Sequence, residues 1–567
     1  MRVAAALPSS SAGARCLGFD ADINARIRLA SSAILGLCSR SRRFPMTKPE
    51  EPTSADQAQS EAEALSELNV PSSAKGRLSP AIQQHTEAEA LSSLVPSSRT
   101  PDRRTTNDIG PASVRSGGAP AAPKNGALGT ASFLAGLRQW LPYLTPLGLL
   151  LTVLVGLGLY LRLFDFGYPK TLQFDEHHFV ETARGYLKHQ PDWNDHPPLG
   201  KLVIASSIRR LGDNAVGFRL PALISGILTI LLGFIAARRL FASRWAAAMA
   251  GALLAADGFL IAYSRAALLD GFLATMSLAA LVMVSFELST VWGLVAGLVF
   301  GIAASIKFSG VAVALPLLFA MAVSKQDTRN KIVAATVMAS VAGFVYVVSY
   351  SVGLSMTDKP SSIGDVIADT QRLLKHHAEL TDMKNPATSG WITWMLPTRP
   401  LMLGFAEKHG AVRALSTLGN LATWWAAVVL GAASVATVLR LGWLNVLGDN
   451  SGEPGEPGEP GEPSPVTGFV VAHGKSVIAA MLTTVAFLAP WILTHRDSYI
   501  YHFLPAYAPL VVTLAGFLGW YETKRPARVF GFFVITLLVA AFYAPLWAYL
   551  PISHDALNLR LFIASWR

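Results

Sequence analysis

From Trp140 to Leu550 the chain gathers its apolar residues into blocks, each roughly 17 to 25 residues long. Each block can cross a hydrocarbon layer about 30 Å thick. A backbone in hydrocarbon must satisfy its own N–H and C=O groups, which leaves only helices and closed barrels as spanning structures. No block shows the period-2 alternation of a barrel strand. The sequence therefore predicts an all-α polytopic membrane protein. Its expected spans lie near 141–163, 217–237, 246–263, 271–288, 291–306, 308–323, 332–353, 421–439, 476–493, 504–521 and 530–550, about eleven transmembrane helices.

Charge then orients the bundle. A formal net charge of +10 in 567 residues raises the question of nucleic acid, but the basic residues are scattered, with no stripe interleaved with aromatics. The expected partner is the lipid bilayer, with no nucleic acid. With the N-terminus in the cytoplasm, the short loops carrying Arg238, Arg239 and Arg244, then Lys325, Arg329 and Lys331, then Lys524, Arg525 and Arg528 all fall inside, as the positive-inside rule asks. Two long connections, 164–216 and 354–420, then lie outside, where short interfacial helices are expected. Residues 440–474 lie inside and carry a Gly-Glu-Pro repeat from Gly452 to Pro463, read as a solvated linker.

Residues 1–140 have no apolar run long enough for a core and read as a disordered cytoplasmic arm preceding a single transmembrane domain over 141–567. A short duplication lies within the arm, Glu61-Ala62-Glu63-Ala64-Leu65-Ser66 recurring from Glu87 to Ser92. The first 45 residues are Arg- and Ser-rich and contain two acids, Asp20 and Asp22; we read Met46 as the initiator, with a targeting segment as the alternative. The two cysteines, Cys16 and Cys38, both lie in the arm, so the body holds neither a disulfide framework nor a thiolate metal site.

The first outer loop is where chemistry is expected. Phe174-Asp175-Glu176-His177-His178-Phe179 sets two adjacent carboxylates beside a span end, where charge without a role is disfavoured. Neighbouring carboxylates push each other's pKa values apart, and a partly desolvated one can serve as general base; Asp175 is the candidate, with Glu176 beside it. Glu181, Asp192 and Asp213 read as solvated loop acids. In His196-Pro197-Pro198-Leu199-Gly200-Lys201 the prolines stiffen a turn that can hold His196 and Lys201 in place, or merely start a helix. Arg162, Arg265, Lys307 and Arg496 reach the same membrane face and suit a phosphate. Pairing of Arg265 with Asp270, and snorkelling of Lys307, are the bland alternatives. Tyr501 and His502 precede a late span, where they and Trp391, Trp394, Trp424 and Trp425 could equally form an interfacial belt.

Taken in order, FDEHHF, HPPLGK, SRAALLD, SIKFSG, GNLATWW and YIYHFLPA resemble the dolichyl-phosphate-mannose protein mannosyltransferase family of the GT-C superfamily, over roughly residues 141–550. The resemblance implies a GT-C-type bundle of the compact bacterial type and a polyprenyl-phosphate sugar donor. It implies Asp175 as catalytic base with Glu176 its neighbour, and Arg162 and Arg265 in donor binding or activity. His196, Lys201, Asp270, Tyr501 and His502 take substrate-binding or positioning roles, and Arg496 falls in the late donor-side motif. The large lumenal insertion of the family's eukaryotic members is missing, and the family's GNP motif reads Gly419-Asn420-Leu421 here.

The expected reaction is an inverting transfer of a sugar, mannose being the expected one, to Ser or Thr hydroxyls of secreted or membrane proteins, on the extracytoplasmic side of a bacterial plasma membrane. No cofactor is required by this scheme and no metal-ligand set is assigned, although several GT-C relatives use a divalent ion. A polyprenyl-phosphate-sugar transferase acting on a lipid or envelope glycan is the alternative. A secondary transporter is more distant, because it would place its ionisable groups near the bilayer midplane.

Overall fold

The computed structural model describes residues 145–190, 195–379, 387–448, 464–494 and 498–566. The N-terminal arm with both cysteines, Asp192, the Gly-Glu-Pro repeat and Arg496 lie outside the described residues.

Helix α1 (Pro146–Leu163) is started by Thr145, whose hydroxyl accepts from the Gly148 N–H, and by Pro146, whose missing N–H costs nothing in a first turn. There follow α2 (Glu176–Leu187), α3 (Leu199–Leu211), α4 (Ala215–Leu240), α5 (Arg244–Ala255), α6 (Gly258–Ser264), α7 (Leu269–Met283) and α8 (Thr290–Ile306). A 3-10 turn, Phe308–Val313, runs into α9 (Ala314–Val323), then α10 (Thr328–Ser355), α11 (Ile363–Glu379) and α12 (Trp391–Met395). A hairpin of β1 (Met402–Lys408) and β2 (Ala411–Ser416) precedes α13 (Leu421–Leu441), α14 (Trp443–Leu447), α15 (Pro465–Leu493), a 3-10 turn Ile500–Phe503, α16 (Leu504–Glu522), α17 (Pro526–Tyr543) and α18 (His554–Arg560).

Among the described residues seven helices are long and apolar enough to cross a membrane, or eight if α5 and α6, bent by 63°, form one broken span; α7, α8 and the 308–323 segment are shorter apolar helices. Each expected span falls on one of these. The centre is α16, buried nearly all round and packed against α5, α7, α13 and α15. A helix apolar on every side is stable only when surrounded, which is where this one sits. Gly293, Gly297 and Gly301 let α8 approach α10 so closely that a Cβ at Gly293 would meet the Ala334 carbonyl at 2.7 Å, the small-residue packing used where no hydrophobic force acts between helices.

The break between α5 and α6 follows from Asp257. Its carboxylate accepts from the N–H groups of Phe259 and Leu260 and so caps α6, while it also takes the Asn420 N–H at 3.0 Å and the Tyr507 hydroxyl at 2.9 Å. Breaking α5 leaves carbonyls without helical partners. Arg162 of α1 supplies them, donating to Leu254 O at 3.1 Å and Ala255 O at 2.5 Å.

The hairpin departs from the all-helical expectation for 354–420. Its strands pair antiparallel, Lys408 opposite Ala411, around His409 and Gly410, both at positive φ (53° and 73°). That is the two-residue turn whose twist matches paired strands. The stripe Leu403, Val412, Ala414 and Leu415 is buried while Phe405 is exposed. Trp394 and Trp424 are fully buried rather than interfacial; Trp425 is the exposed one.

Candidate active site

The two adjacent carboxylates do different work. Phe174 takes a left-handed backbone (φ 47°), and this turns Asp175 and Glu176 apart at the start of α2. Glu176 is wholly buried, with its oxygens 2.8 and 2.7 Å from Arg219 Nε and Nη2, and it also accepts from the Ala267 and Gln173 N–H groups at 2.8 and 2.9 Å. Four donors on one carboxylate lock the first loop to α4 and to the turn before α7. Asp175 holds the N-cap position, yet its side chain makes no capping hydrogen bond. It lines a cavity instead.

That cavity, about 710 Å³, is built by the first loop (Asp175, His178, Asp195, His196), the start of α7 (Asp270), the end of α8 (Lys307), the last turn of α11 (His376, His377) and the turn before α16 (Tyr499, Tyr501, His502). These are helix ends on one face of the bundle. The basic clusters expected in the cytoplasm cap the opposite ends of α4, α5, α9, α10, α16 and α17.

Burial pushes the Asp175 carboxyl from 3.8 up to about 6, against the pull of positive charge at His178 and Lys307, with Asp270 and Asp195 adding to the rise. Burial also holds the His196 imidazole well below 6.5, helped by the charges of Lys307 and Lys201, so His196 is neutral. Its ring lies between Phe179 and His377, stacked on both at 6.0 and 5.3 Å, and its Nδ1 is buried with no hydrogen-bond partner. Lys307 Nζ bonds both Asp270 oxygens, at 3.0 and 3.1 Å, and stands 5.1 Å over the Tyr501 ring. His502 is stacked 3.5 Å from Trp491, and its Nδ1 accepts the Tyr499 N–H. In the neutral ring the proton is therefore on Nε2.

Other expected site residues stand behind this surface. Lys201, buried, donates to the His196 carbonyl at 2.9 Å and holds the proline turn closed. Arg265 donates to the carbonyls of Leu161, Arg162 and Phe164 and closes the last turn of α1. It does not pair with Asp270, which pairs with Lys307. Arg162 binds Gly158 O, Leu254 O, Ala255 O and the Ser264 hydroxyl. Neither arginine lines the cavity. Among the described residues no group of three or more His, Cys, Asp and Glu is placed to hold a metal ion.

Sequence reasoning passed over Arg219, Asp257, His377 and Trp491. Two of these carried a signal: Arg219 and Asp257 are single charges inside long apolar runs, where an ionisable group is costly without a partner. His377 donates through Nε2 to the Asp195 carbonyl oxygen at 2.6 Å, a contact across 182 residues that no local pattern announces. The Gly419-Asn420 motif turns out to brace the broken helix, with Asn420 buried between Asp257 and the Thr536 carbonyl.

Two sequence models described as dolichyl-phosphate-mannose-protein mannosyltransferase match residues 152–213 and 195–352, and a third, the C-terminal four-TMM region of protein-O-mannosyltransferase, matches 362–566. Together they run through nearly all of the helical body. The chain belongs to the protein O-mannosyltransferase family. Among relatives of this family, polyprenol-phosphate-mannose–protein mannosyltransferase of Mycolicibacterium smegmatis is 26% identical over 511 residues, covering 73% of this chain and 92% of its own length. The protein of the same name from Mycobacterium tuberculosis is 25% identical over 509 residues, covering 74% and 91%. In fold, the S. cerevisiae protein O-mannosyltransferase complex bound to the sugar donor matches with a TM-score of 0.62 at 14% identity, over 75% of this chain and 93% of that one. The mannosyltransferase body is thus that of a multi-pass membrane protein.

Proposed function

We propose that the chain transfers mannose from a polyprenyl-phosphate carrier to Ser or Thr hydroxyls of proteins, using the Asp175 cavity on the extracytoplasmic side of a bacterial plasma membrane. The family and the relatives' names support the reaction. The side of the membrane rests on charge: the basic loops lie at the helix ends opposite the cavity. The proposed catalytic domain is 141–567, with 164–216 its first catalytic loop.

The observation that carries the reading is one carboxyl, Asp175, held near pKa 6 at a cavity wall beside Lys307. A hydroxyl is a poor nucleophile near neutral pH, so base and leaving-group stabilisation must act together. In the proposed step Asp175 takes the acceptor hydroxyl proton and the oxygen attacks the anomeric carbon. The bond from that carbon to the phosphate oxygen breaks, and polyprenyl phosphate leaves with the electron pair. Attack opposite the leaving group inverts the anomeric centre. Lys307 and the His502 Nε2–H lie on the cavity wall to meet the phosphate charge, while Phe174, Tyr499, Tyr501 and Trp491 give aromatic faces for a sugar. Arg496 is assigned to the phosphate by its place in the family's motif. Arg162, Arg265, Lys201 and Glu176 act as positioning residues.

The test is transfer of labelled mannose from polyprenyl-phosphate-mannose to a Ser/Thr peptide in membranes carrying wild-type or Asp175→Asn protein. Loss of peptide labelling in the variant is expected. Undiminished labelling overturns the base assignment, and label in lipid or envelope glycan but not peptide overturns the acceptor assignment.

A further inference from the structure

A second concave site lies at the other end of the bundle. α1 and α4 both pack on α5, and between them runs a groove of about 800 Å³ whose floor is the small pair Ala248 and Gly251 and whose walls are Leu151, Val155, Ile227, Leu231 and neighbours. The groove closes on the first turn of α1 (Gly148), the last turns of α4 (Arg238) and the first residue of α5 (Arg244). The active-site cavity lies past the far end of α1, and an 18-residue helix is about 27 Å long. The two sites are therefore on opposite faces.

The arginines here are not equivalent. Arg239 is tied down, donating to the Ser285 hydroxyl and carbonyl and lying 3.8 Å over the Phe286 ring. Arg238 and Arg244, three residues of turn apart from α4 to α5, both line the groove, are exposed, and engage no acid among the described residues. The wall side chains Ile227, Leu231 and Phe234 remain 39%, 51% and 41% exposed. An apolar slot ending in two guanidiniums that have no acidic partner among the described residues is complementary to one kind of membrane molecule. Its chains must be hydrocarbon and its head must be an anion at the depth of the basic loops.

We propose that this groove binds an anionic diacyl phospholipid of the leaflet on the basic-loop side, with its phosphate between Arg238 and Arg244 and an acyl chain along the Ala248–Gly251 floor. The guanidinium fork suits a phosphate diester, and near an interface each basic residue contributes about 1 kcal/mol to anionic-lipid attraction, about fivefold in affinity. Bound lipid fills the space between α1 and α4 and so fastens the first span, whose far end carries the loop with Asp175.

The test uses the full chain purified in detergent, incubated with phosphatidylglycerol or phosphatidylcholine, and read by native mass spectrometry and thermal unfolding. Retention of phosphatidylglycerol over phosphatidylcholine is expected, with Arg238→Gln/Arg244→Gln weakening it about thirtyfold and Arg239→Gln leaving it in place. Ala248→Phe, which fills the floor, should displace the lipid with both arginines intact, and decides the matter if the double variant fails to fold. Equal retention of the two lipids by the wild type overturns the proposal. So does displacement by inorganic phosphate alone, which marks a headgroup-only anion site, or preference for a polyprenyl monophosphate, which marks a carrier site.

Discussion

Replacing Glu176 and Asp175 one at a time separates scaffold from chemistry. Glu176→Ala leaves the Arg219 guanidinium, 1% exposed, without its carboxylate; breaking a buried pair from one side costs about 3–5 kcal/mol. It also strands the Ala267 and Gln173 N–H groups, each worth about 1–3 kcal/mol if no water reaches it. The loss is on the order of 5 kcal/mol, comparable with the whole stability of many domains, about 5–15 kcal/mol. Asp175→Asn acts the other way. Raising its carboxyl from 3.8 to about 6 corresponds to roughly 3 kcal/mol against folding. A raised carboxyl pKa means the folded state binds its proton more tightly, so this penalty is full above pH 6 and vanishes below 3.8. At pH 7 the amide should be neutral to stabilising while abolishing proton removal, a loss of about 10²–10⁴ in rate. The assay is apparent Tm by intrinsic fluorescence in detergent, beside mannose transfer to peptide. Glu176→Leu/Arg219→Met should recover part of the stability lost by Glu176→Ala, because pair-breaking, rather than absence of the pair, carries the cost. Wild-type stability with lost transfer in Glu176→Ala, together with a destabilised but active Asp175→Asn, would refute the division of labour.

Transfer should fall as pH drops through about 6, where Asp175 protonates; removing the Lys307 charge with Lys307→Met should shift that limb to higher pH, as a kcat/KM profile would register. Arg162→Met should lower apparent Tm through the stranded Leu254 and Ala255 carbonyls while leaving donor KM within about twofold, whereas a phosphate ligand would raise KM by tenfold or more. Gly258→Ala places a Cβ 2.0 Å from the Trp547 ring and 2.5 Å from the Leu418 carbonyl that Trp547 Nε1 donates to. It should cost about 2–4 kcal/mol by overpacking and a lost buried bond, visible as a lower Tm with an unchanged pH profile.

The helical body was legible because hydrocarbon imposes a strong local rule: a span must be long, apolar and internally bonded, and each of these is written in consecutive residues. The hairpin at 402–416 was harder, since alternation over 6 or 7 residues is outweighed by neighbouring spans unless His409-Gly410 is recognised as a turn pair. The motif positions of Asp175, His196, Asp270, Lys307, Tyr501 and His502 come together on one cavity wall. Local sequence could not rank the cations, because a guanidinium near a span end looks the same whether it faces a ligand or a helix's last carbonyls. Arg162 and Arg265 take the second course, each closing the end of the other's helix region.

That reciprocal capping bears on why one carboxylate can act as a base among so many charges. Glu176 is taken up by Arg219, and Asp270 by Lys307. Arg162 and Arg265 direct their terminal guanidinium nitrogens to backbone carbonyls. Among the described residues no ion pair engages Asp175, so the attraction that would hold it in the usual carboxylate range reaches it only at a distance, from His178 and Lys307, and burial prevails. If Lys307 paired with Asp175 instead of Asp270, the base would be stabilised as an anion and weakened as a proton acceptor. Asp270 thus acts on Asp175 both by its own negative charge, which adds to the rise, and through Lys307: it orients the ammonium toward α7 and keeps a positive charge in the cavity without surrendering it to the base. Asp270→Asn should remove that anion and free Lys307 to turn to Asp175, both of which move the acid limb of the pH profile downward, with a lower plateau rate; a lower Tm with the profile left where it was would overturn this electrostatic role.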